Sequence, residues 1–328
     1  MIIKDINKQQ IPIAGNILPI NKDNIIPIKI DKKIEIVVVP NLGEPNSHQD
    51  NVGIILEEKK IQRILSKRYK HVLITEINSM DDLEQLARRK PDLVFSGVKY
   101  FCFNNKKIWL NDYLEIFLIP YIASSKAALD NESDKNRAKN IIQQNNIRTA
   151  DYFITNPGEY IKESSIPIKF PLFIKPITGG DSRGVDKNSL VFNFEEFTAK
   201  VLDIKLNLNT SSLVETYLAG KEYSVGIFED SIDGSLRAMP IEIIVKKNID
   251  GYCILDFDVK KNDEEEVVLV SDKKIFKKLT EIAKNSFVAL GGKSLGRIDI
   301  KMDHLGEPHF IEANLMPGLR KGYFYRSC

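Results

Sequence analysis

Alternating apolar and polar residues near the carboxyl end of the chain predict two neighbouring strands. Over residues 296–302, and again over 311–314, every second side chain is apolar. Successive side chains of a strand point to opposite faces, and a glycine-containing turn separates the two segments. The pattern therefore predicts a β-hairpin with its polar side chains on one face.

The register of this hairpin sets two acids opposite each other. A symmetric even-length loop centred on 305–306 pairs Asp299 with Glu312. The same register pairs Arg297 with Asn314. Like charges directly opposite each other, about 5 Å apart, are destabilising, so the two acids indicate a cation between them, and oxygen ligands suit Mg²⁺. A solvated face on which the arginine neutralises one acid is an equally open interpretation.

The first third of the chain alternates β-branched runs with helical periodicity. Strands are predicted at 34–40, 71–75 and 92–96, and helices at 52–69 and 81–89. This order predicts a right-handed βαβ sheet. No glycine fingerprint follows the first strand, which argues against a dinucleotide-binding domain.

A glycine-rich loop at 178–185 joins predicted strands at 171–176 and 189–192. The loop lacks the Gly-Lys-Ser/Thr ending of a P-loop. Such a flap can close over phosphates with its backbone N–H groups, although by itself a flexible turn without a ligand is the favoured interpretation. Residues 256–266 predict a charged mobile loop, and 273–290 predict an amphipathic helix that leads into the hairpin.

Length and pattern changes predict several domains. At 328 residues the chain is too long for one small core. A helix predicted from a Ser133 cap to about residue 144 suggests a boundary near residue 125. The predicted units are an N-terminal extension, a βαβ domain, a central subdomain and a C-terminal subdomain with the metal site, over 1–33, 34–125, 126–212 and 213–328. The fold class is α/β, in part α+β.

Composition excludes some classes of partner. The chain has 47 basic and 45 acidic residues, and this near balance gives no support to nucleic-acid binding. No stretch approaches about 20 uninterrupted apolar residues, so no membrane span is predicted. The three cysteines are far apart and outside any metal spacing, which fits a reducing, cytoplasmic setting. A homodimer is the assembly that general experience favours.

Four short motifs follow one another in the second half of the chain. They are Ile174-Lys175-Pro176 with the loop at 179–184, Val214-Glu215 with Gly220-Lys221-Glu222-Tyr223, Gly296-Arg297-Ile298-Asp299, and Glu312-Ala313-Asn314 followed by Pro317-Gly318. In this order they resemble the ATP-grasp superfamily, and within it the D-alanine–D-alanine ligase-like group. The resemblance covers about residues 91–322 and is weak in the first domain. It implies an ATP-grasp architecture in which two subdomains clasp ATP.

The resemblance also implies roles for individual residues. Residues similar to those that contact the nucleotide are Lys135 and Lys175 at the phosphates, Ser182 in the covering loop, Glu215, Thr216, Tyr217 and Leu218 at adenine, and Glu222 at the ribose. Those similar to the ligands of two Mg²⁺ ions, with Mn²⁺ as an alternative, are Asp299, Glu312 and Asn314. The implied catalytic groups are Lys260 near the γ-phosphate, and Arg297 and the Gly318 backbone at the oxyanion of a tetrahedral intermediate.

Several positions depart from the family pattern. Asp181 replaces a serine of the glycine loop, Lys261 replaces a tyrosine, and Tyr323-Phe324 replaces the Ser-Leu pair that reads the substrate carboxylate. The segment that holds the first D-alanine is not recognisable around 41–45. From these departures we expect that D-alanine is not the substrate.

The predicted function is that of an ATP-dependent, ADP-forming carboxylate–amine ligase. It would join an amino acid, a peptide or a related small acid to an amine through an acyl phosphate. One alternative is an ATP-grasp kinase that acts on a small molecule. Another is a catalytically reduced regulatory protein that binds nucleotide, for which Asp181 and Lys261 are the only support.

Overall fold

The described residues form three larger sheets that follow one another along the chain, and a separate two-stranded sheet made of one hairpin. The structure is a computed structural model, and the residues it describes are 29–38, 53–54, 56–103, 106–179, 182–230, 233–247, 251–319 and 322–328. Most of the predicted extension over 1–33 lies outside the described residues. Its last residues already belong to the first strand, which begins at Ile30.

The first sheet is parallel, as the alternation of strands and helices predicts. Its elements in chain order are β1 (Ile30–Val38), α1 (Glu58–Leu65), β2 (Tyr69–Glu76), α2 (Met80–Arg89), β3 (Leu93–Ser96), the hairpin β4 (Tyr100–Phe103) and β5 (Lys106–Trp109), α3 (Leu110–Ile116) and β6 (Tyr121–Ile122). The strand order is β2-β1-β3-β6, with parallel pairing throughout. The hairpin β4–β5 has no counterpart in the sequence predictions.

Helix α1 is shorter than its predicted span of 52–69. Gly53 forms an isolated bridge with Val98, so the chain before the helix is extended. A Cβ atom on Gly53 would lie 2.1 Å from the carbonyl oxygen of Gly97, and the glycine therefore permits this close approach. Ile54 and Leu56 thus belong to a segment that packs against Gly97 of the β3–β4 connection, and not to the helix.

The second sheet is antiparallel and lies in the middle of the chain. Its elements are β7 (Tyr152–Thr155), β8 (Leu172–Pro176), β9 (Leu190–Val191), α6 (Phe194–Leu208) and β10 (Ser212–Thr216), in the strand order β7-β10-β8-β9. Helix α6 covers one face through Phe197, Val201 and Ile204, which share a core with Ile174. The predicted strand at 189–192 is only two residues long and follows a 3-10 turn.

The third sheet has five antiparallel strands. Its elements are β11 (Glu222–Glu229), β12 (Leu236–Ile244), α7 (Phe257–Asn262), β13 (Glu266–Leu269), α8 (Lys273–Ala289), β14 (Leu295–Met302), β15 (Pro308–Asn314) and α9 (Tyr323–Ser327), and the strand order is β13-β12-β11-β14-β15. Helix α8 is close to its predicted span. Its Phe287 is buried with Ile298 and Phe310 of the hairpin.

Two helices connect the first sheet with the second, namely α4 (Lys126–Ser133) and α5 (Lys135–Gln144). Asp134, and not the predicted Ser133, caps α5, because its carboxylate accepts hydrogen bonds from the N–H groups of Asn136 and Arg137. The buried Leu129 and Ile142 pack in the core of the third sheet. These helices therefore lie on the C-terminal sheet.

The sheets divide the chain differently from the predicted subdomains. Strand β10 belongs to the second sheet, so the predicted break between residues 212 and 213 falls inside a strand of that sheet. The helices at the start of the predicted central subdomain contribute instead to the core of the third sheet. None of the helices among the described residues has both the length and the apolar composition required to span a bilayer.

Candidate active site

The hairpin β14–β15 has the predicted pairing of polar residues. Asp299 lies opposite Glu312, and Arg297 lies opposite Asn314. The loop, however, has five residues between Met302 and Pro308, an odd number, and the register shifts by one residue between Asp299 and Ile300. This β-bulge compensates for the odd loop, and it brings the two acids face to face.

Asp299 is held by two neighbours in this structure. Arg297 donates to both carboxylate oxygens, at 3.0 and 2.9 Å, and Ser224 of the neighbouring strand donates at 2.7 Å. Burial raises the pKa of Asp299, Arg297 opposes this change, and Glu312 adds to it. The interpretation in which Arg297 neutralises one acid thus describes this pair, but Asp299 is buried and Arg297 is partly buried, so this face is not fully solvated.

Glu312 faces a group of cations. Burial by itself would raise the pKa of Glu312, but Lys260, Lys135 and Lys175 lower it to about 2. The carboxylate is therefore ionised throughout the neutral range. The two acids therefore have different cationic partners. Asp299 is paired with the neighbouring Arg297, whereas Glu312 is surrounded by lysines from separate elements.

A buried ion cluster underlies the same region. The carboxylate of Glu215 lies between two lysines, 2.6 Å from Lys139 Nζ and 2.7 Å from Lys175 Nζ. Each of the three residues is at most 5% exposed. Burial disfavours the charge on Glu215, yet the two lysines lower its pKa. The sequence predictions did not include Lys139. Its place between Ala138 and Ile142, on the buried face of α5, could have indicated that this lysine is buried.

The segment after β10 turns away from the cluster. Tyr217 donates its backbone N–H to the carbonyl of Pro171, and Leu218 is buried. Glu222, at the start of β11, forms an ion pair of 3.0 Å with Lys301. The Lys301 ammonium also lies 5.7 Å from the centre of the Tyr217 ring. Lys301 is a second, partly buried cation of the pocket lining that the sequence predictions missed.

A first pocket lies between the second and third sheets. It brings together most of the residues predicted to contact nucleotide or metal, and these are Lys135, Lys175, Ser182, Glu215, Thr216, Tyr217, Leu218, Glu222, Lys260, Asp299 and Glu312. Apolar walls come from Phe173, Ile254, Leu255 and Ile311. Ser182 belongs to the glycine loop, whose residues 180–181, including the predicted departure Asp181, lie outside the described part of the chain.

A second pocket adjoins the first. Its lining includes Arg297 and Asn314 of the hairpin and Tyr323 of α9. Lys99 of the β3–β4 connection and Glu132 of α4 also line it. Lys135, Gly179, Lys260 and Glu312 line both pockets. The predicted catalytic residue Gly318 is exposed and is not part of either lining.

Lys260 comes from a helix where the sequence predicted a mobile loop. The carboxylate of Asp256 accepts a hydrogen bond of 2.9 Å from the N–H of Val259 and caps α7. Asp263 ends the helix in the left-handed conformation. The charged run thus contains one short helix, which directs Lys260 into both pockets.

The polar face of the hairpin fits a metal that arrives with a ligand. In the described parts of the chain, no three or more His, Cys, Asp and Glu side chains form a group that could hold a metal ion. Mg²⁺ is commonly bound through one or two carboxylates together with substrate phosphates and waters. Two facing carboxylates and the amide of Asn314 are therefore a suitable donor set for Mg²⁺ carried by a polyphosphate.

Two small sheets that enclose a pocket with lysines on one side and paired acids on the other define the ATP-grasp class. Solved structures agree with this fold. The D-alanine–D-alanine ligase of Bacillus anthracis, in complex with ATP, is similar with a TM-score of 0.60 over 90% of each chain, at 19% identity. The VanG D-Ala:D-Ser ligase of Enterococcus faecalis has a TM-score of 0.61 over 90% of this chain and 93% of that chain, at 18% identity.

Sequence comparison identifies the family. The model for the D-ala D-ala ligase C-terminus matches residues 141–327. The D-alanine–D-alanine ligase of Aquifex aeolicus (strain VF5) is 31% identical over 241 residues, which are 72% of this chain and 75% of that protein. The chain belongs to the D-alanine–D-alanine ligase family. The predicted ATP-grasp fold and the predicted enzyme class, an ATP-grasp ligase that forms a C–N bond, are thereby confirmed.

Proposed function

We propose that the protein is an ADP-forming carboxylate–amine ligase that works through an acyl phosphate. The observation that carries the proposal is the junction of the two pockets at Lys135, Gly179, Lys260 and Glu312. A nucleotide in the first pocket would present its terminal phosphate at this junction. A small acid and an amine in the second pocket would meet the phosphate there.

The lining of the first pocket supports an assignment for each part of ATP. Adenine would lie against residues 216–218 and the apolar walls, and Glu222 would accept hydrogen bonds from the ribose. The phosphates would extend toward Lys135 and Lys175 beneath the glycine loop that contains Ser182. Two Mg²⁺ ions, or Mn²⁺ in their place, would be held by Asp299, Glu312 and Asn314 and would supply positive charge against the phosphates.

The chemistry follows from this placement. An oxygen of the substrate carboxylate attacks the γ-phosphorus, the bond to ADP breaks, and an acyl phosphate forms. The amine nitrogen then attacks the acyl carbon, loses a proton, and phosphate leaves. Lys260 stabilises charge on the transferred group, and Arg297 stabilises the tetrahedral oxyanion. The Gly318 backbone N–H, which lies outside both linings in this structure, would have to approach the oxyanion to donate to it as well. The glycine loop limits the access of water to the acyl phosphate.

The substrates are small amino acids or related compounds in this proposal, and D-alanine is among the candidates. The comparisons do not support the expectation that D-alanine is excluded. Relatives are named D-alanine–D-alanine ligases, and one structural neighbour is a D-Ala:D-Ser ligase. The neighbourhood of 41–45, on which the exclusion partly depended, lies outside the described residues.

We also place the reaction in the cytoplasm, where ATP is abundant and thiols stay reduced. All three cysteines are free in the structure, which is compatible with this compartment. The proposed partners are small molecules. Nucleic acid is not among them because the charges are balanced, and a homodimer stays a prediction.

The test is product analysis with purified protein. We expect Mg-ATP to be converted to ADP and phosphate with a pooled library that contains D-alanine, D-serine, other amino acids and dipeptides. The product mass should equal acid plus amine minus water. Glu312→Gln should lower the turnover about 100-fold or more. The substitution removes the carboxylate charge that balances the surrounding lysines and that would bind the metal.

Other outcomes would contradict the proposal. A phosphorylated product that accumulates in the presence of amine would indicate that the protein is a small-molecule kinase. ATP binding without ADP release across the whole library would indicate the regulatory protein. Full activity of Glu312→Gln would show that the metal assignment is wrong.

A further inference from the structure

A buried lysine lies behind the nucleotide pocket without lining it. Lys139 is 0% exposed, and its ammonium group contacts one carboxylate oxygen of Glu215, while Lys175 contacts the other. Lys175 and Glu215 line the first pocket, whereas Lys139 is absent from both pocket linings. Lys139 therefore does not contact a phosphate bound in the first pocket, and it acts on one through the charge balance of the cluster and the position of the strands.

We propose that Lys139 is a positioning residue that keeps the charge of Lys175 available to the triphosphate. This inference rests on the proposed function. With Lys139 the three side chains carry a net charge of +1. Without it, Glu215 and Lys175 form a neutral pair, and the carboxylate competes with the phosphates for the remaining lysine. In a buried site such competition is strong because water screens it weakly.

A second contact supports the same role. Lys139 also donates to the hydroxyl of Thr149, which in turn donates to the carbonyl of Phe310 at 2.8 Å. Phe310 is two residues before Glu312 on β15, and Glu215 is on β10. Lys139 thus connects the strand that holds Glu215 with the strand that holds a proposed metal ligand, behind the first pocket.

The test separates the contribution of the phosphates from that of the nucleoside. The dissociation constants of Mg-ATP and adenosine are measured by calorimetry. The constant of adenosine divided by that of Mg-ATP reports the phosphate contribution. Lys139→Met should reduce this ratio about 10-fold or more, as expected for a weakened charge-assisted contact. The double variant K139M/E215Q should recover most of it, because Lys175 then carries an uncompensated charge again.

A matched control and a second variant keep the test decisive. Lys200 is also buried, at 3% exposure, and pairs with Asp186 and Asp203 outside the first pocket, so Lys200→Met should leave the ratio unchanged. Should Lys139→Met fail to fold, Glu215→Gln tests the proposal by itself. This variant keeps Lys139 and Lys175 but removes the carboxylate that competes with the phosphates, so its ratio should be at least equal to that of the wild type.

Three outcomes would overturn the role of Lys139. They are an unchanged ratio in folded Lys139→Met, a double variant that binds no better than the single one, and a reduced ratio in Glu215→Gln. A wild-type protein that does not bind Mg-ATP would instead overturn the proposed function itself. The two failures are therefore distinguishable.

Discussion

At the scale of single residues, a serine on a neighbouring strand fixes the orientation of a proposed metal ligand. Ser224 lies opposite Asp299 across the β11–β14 pair, is fully buried, and donates a hydrogen bond to one carboxylate oxygen. Arg297 donates hydrogen bonds to both oxygens of the same carboxylate. When a metal binds, the arginine contact has to rearrange, whereas the serine hydroxyl can continue to hold one oxygen.

Removal of this hydroxyl should therefore weaken the metal more than the nucleotide. For Ser224→Ala we expect the Mg²⁺ concentration that gives half-maximal ADP release to rise about 10-fold, because partners of metal ligands typically contribute that much to affinity. The measurement is a Mg²⁺ titration at fixed, saturating ATP.

The control is Ser286→Ala, an equally buried serine on α8 that is not part of either pocket lining. It should leave the Mg²⁺ requirement unchanged. If Ser224→Ala had the same Mg²⁺ dependence as the wild type, Asp299 would not depend on this hydrogen bond for metal binding.

At the scale of elements, the short helix α7 determines where a catalytic candidate lies. Six residues are too few for a stable isolated helix, so α7 depends on its cap and its tertiary contacts. Asp256 provides the cap, and Val259 packs on the cluster around Ile241 and Tyr323. The position of Lys260 thus follows from one carboxylate and a few apolar contacts.

Loss of the cap should lower catalysis. Replacement of an aspartate N-cap by alanine costs about 1 kcal/mol of helix stability, so we expect kcat of Asp256→Ala to fall about fivefold. Asp272→Ala, which removes the cap of α8, is the matched control. It should lower the thermal midpoint without lowering kcat, and an equal loss of kcat in both variants would contradict a specific role of α7.

These elements also show which parts of the fold could be predicted from sequence. The faces of the hairpin β14–β15 could be predicted because both strands have a period of two. Its register could not be fixed in this way, because the loop is odd and a bulge restores the pairing of Asp299 with Glu312. Helix α7 could not, because its cap lies within a charged run that resembles solvated surface. Lys139 and Lys301 could not be assigned a role, because Glu215 and Glu222, which compensate their charges, are distant from them in sequence.

At the scale of the whole molecule, the second pocket depends on contacts between the first and third sheets. Lys99, which precedes β4, forms an ion pair of 2.8 Å with Glu132 of α4. The other carboxylate oxygen of Glu132 accepts a hydrogen bond from the backbone N–H of Leu315, directly after Asn314. Ser124 adds a second connection, because its hydroxyl bonds to the backbone of Lys293 in both directions.

This arrangement predicts that the two pockets can be affected separately. Lys99 and Glu132 line the second pocket and not the first. For Lys99→Met we expect the KM of the acid or amine to rise about 10-fold, because the buried Glu132 loses its charge partner and the end of β15 shifts. The KM of ATP should stay within about twofold of the wild type, since the contacts of the first pocket are retained.

Lys70→Met is the control, because it removes an exposed ion pair of the first sheet, with Asp31, that is distant from both pocket linings. It should change neither KM, as exposed pairs contribute little. An equal rise in the KM of ATP and of the acceptor in Lys99→Met would mean that the first sheet supports the whole site. A rise confined to the KM of the acid or amine would instead show that the first sheet contributes to substrate selection. In the proposal this sheet makes no contact with the nucleotide.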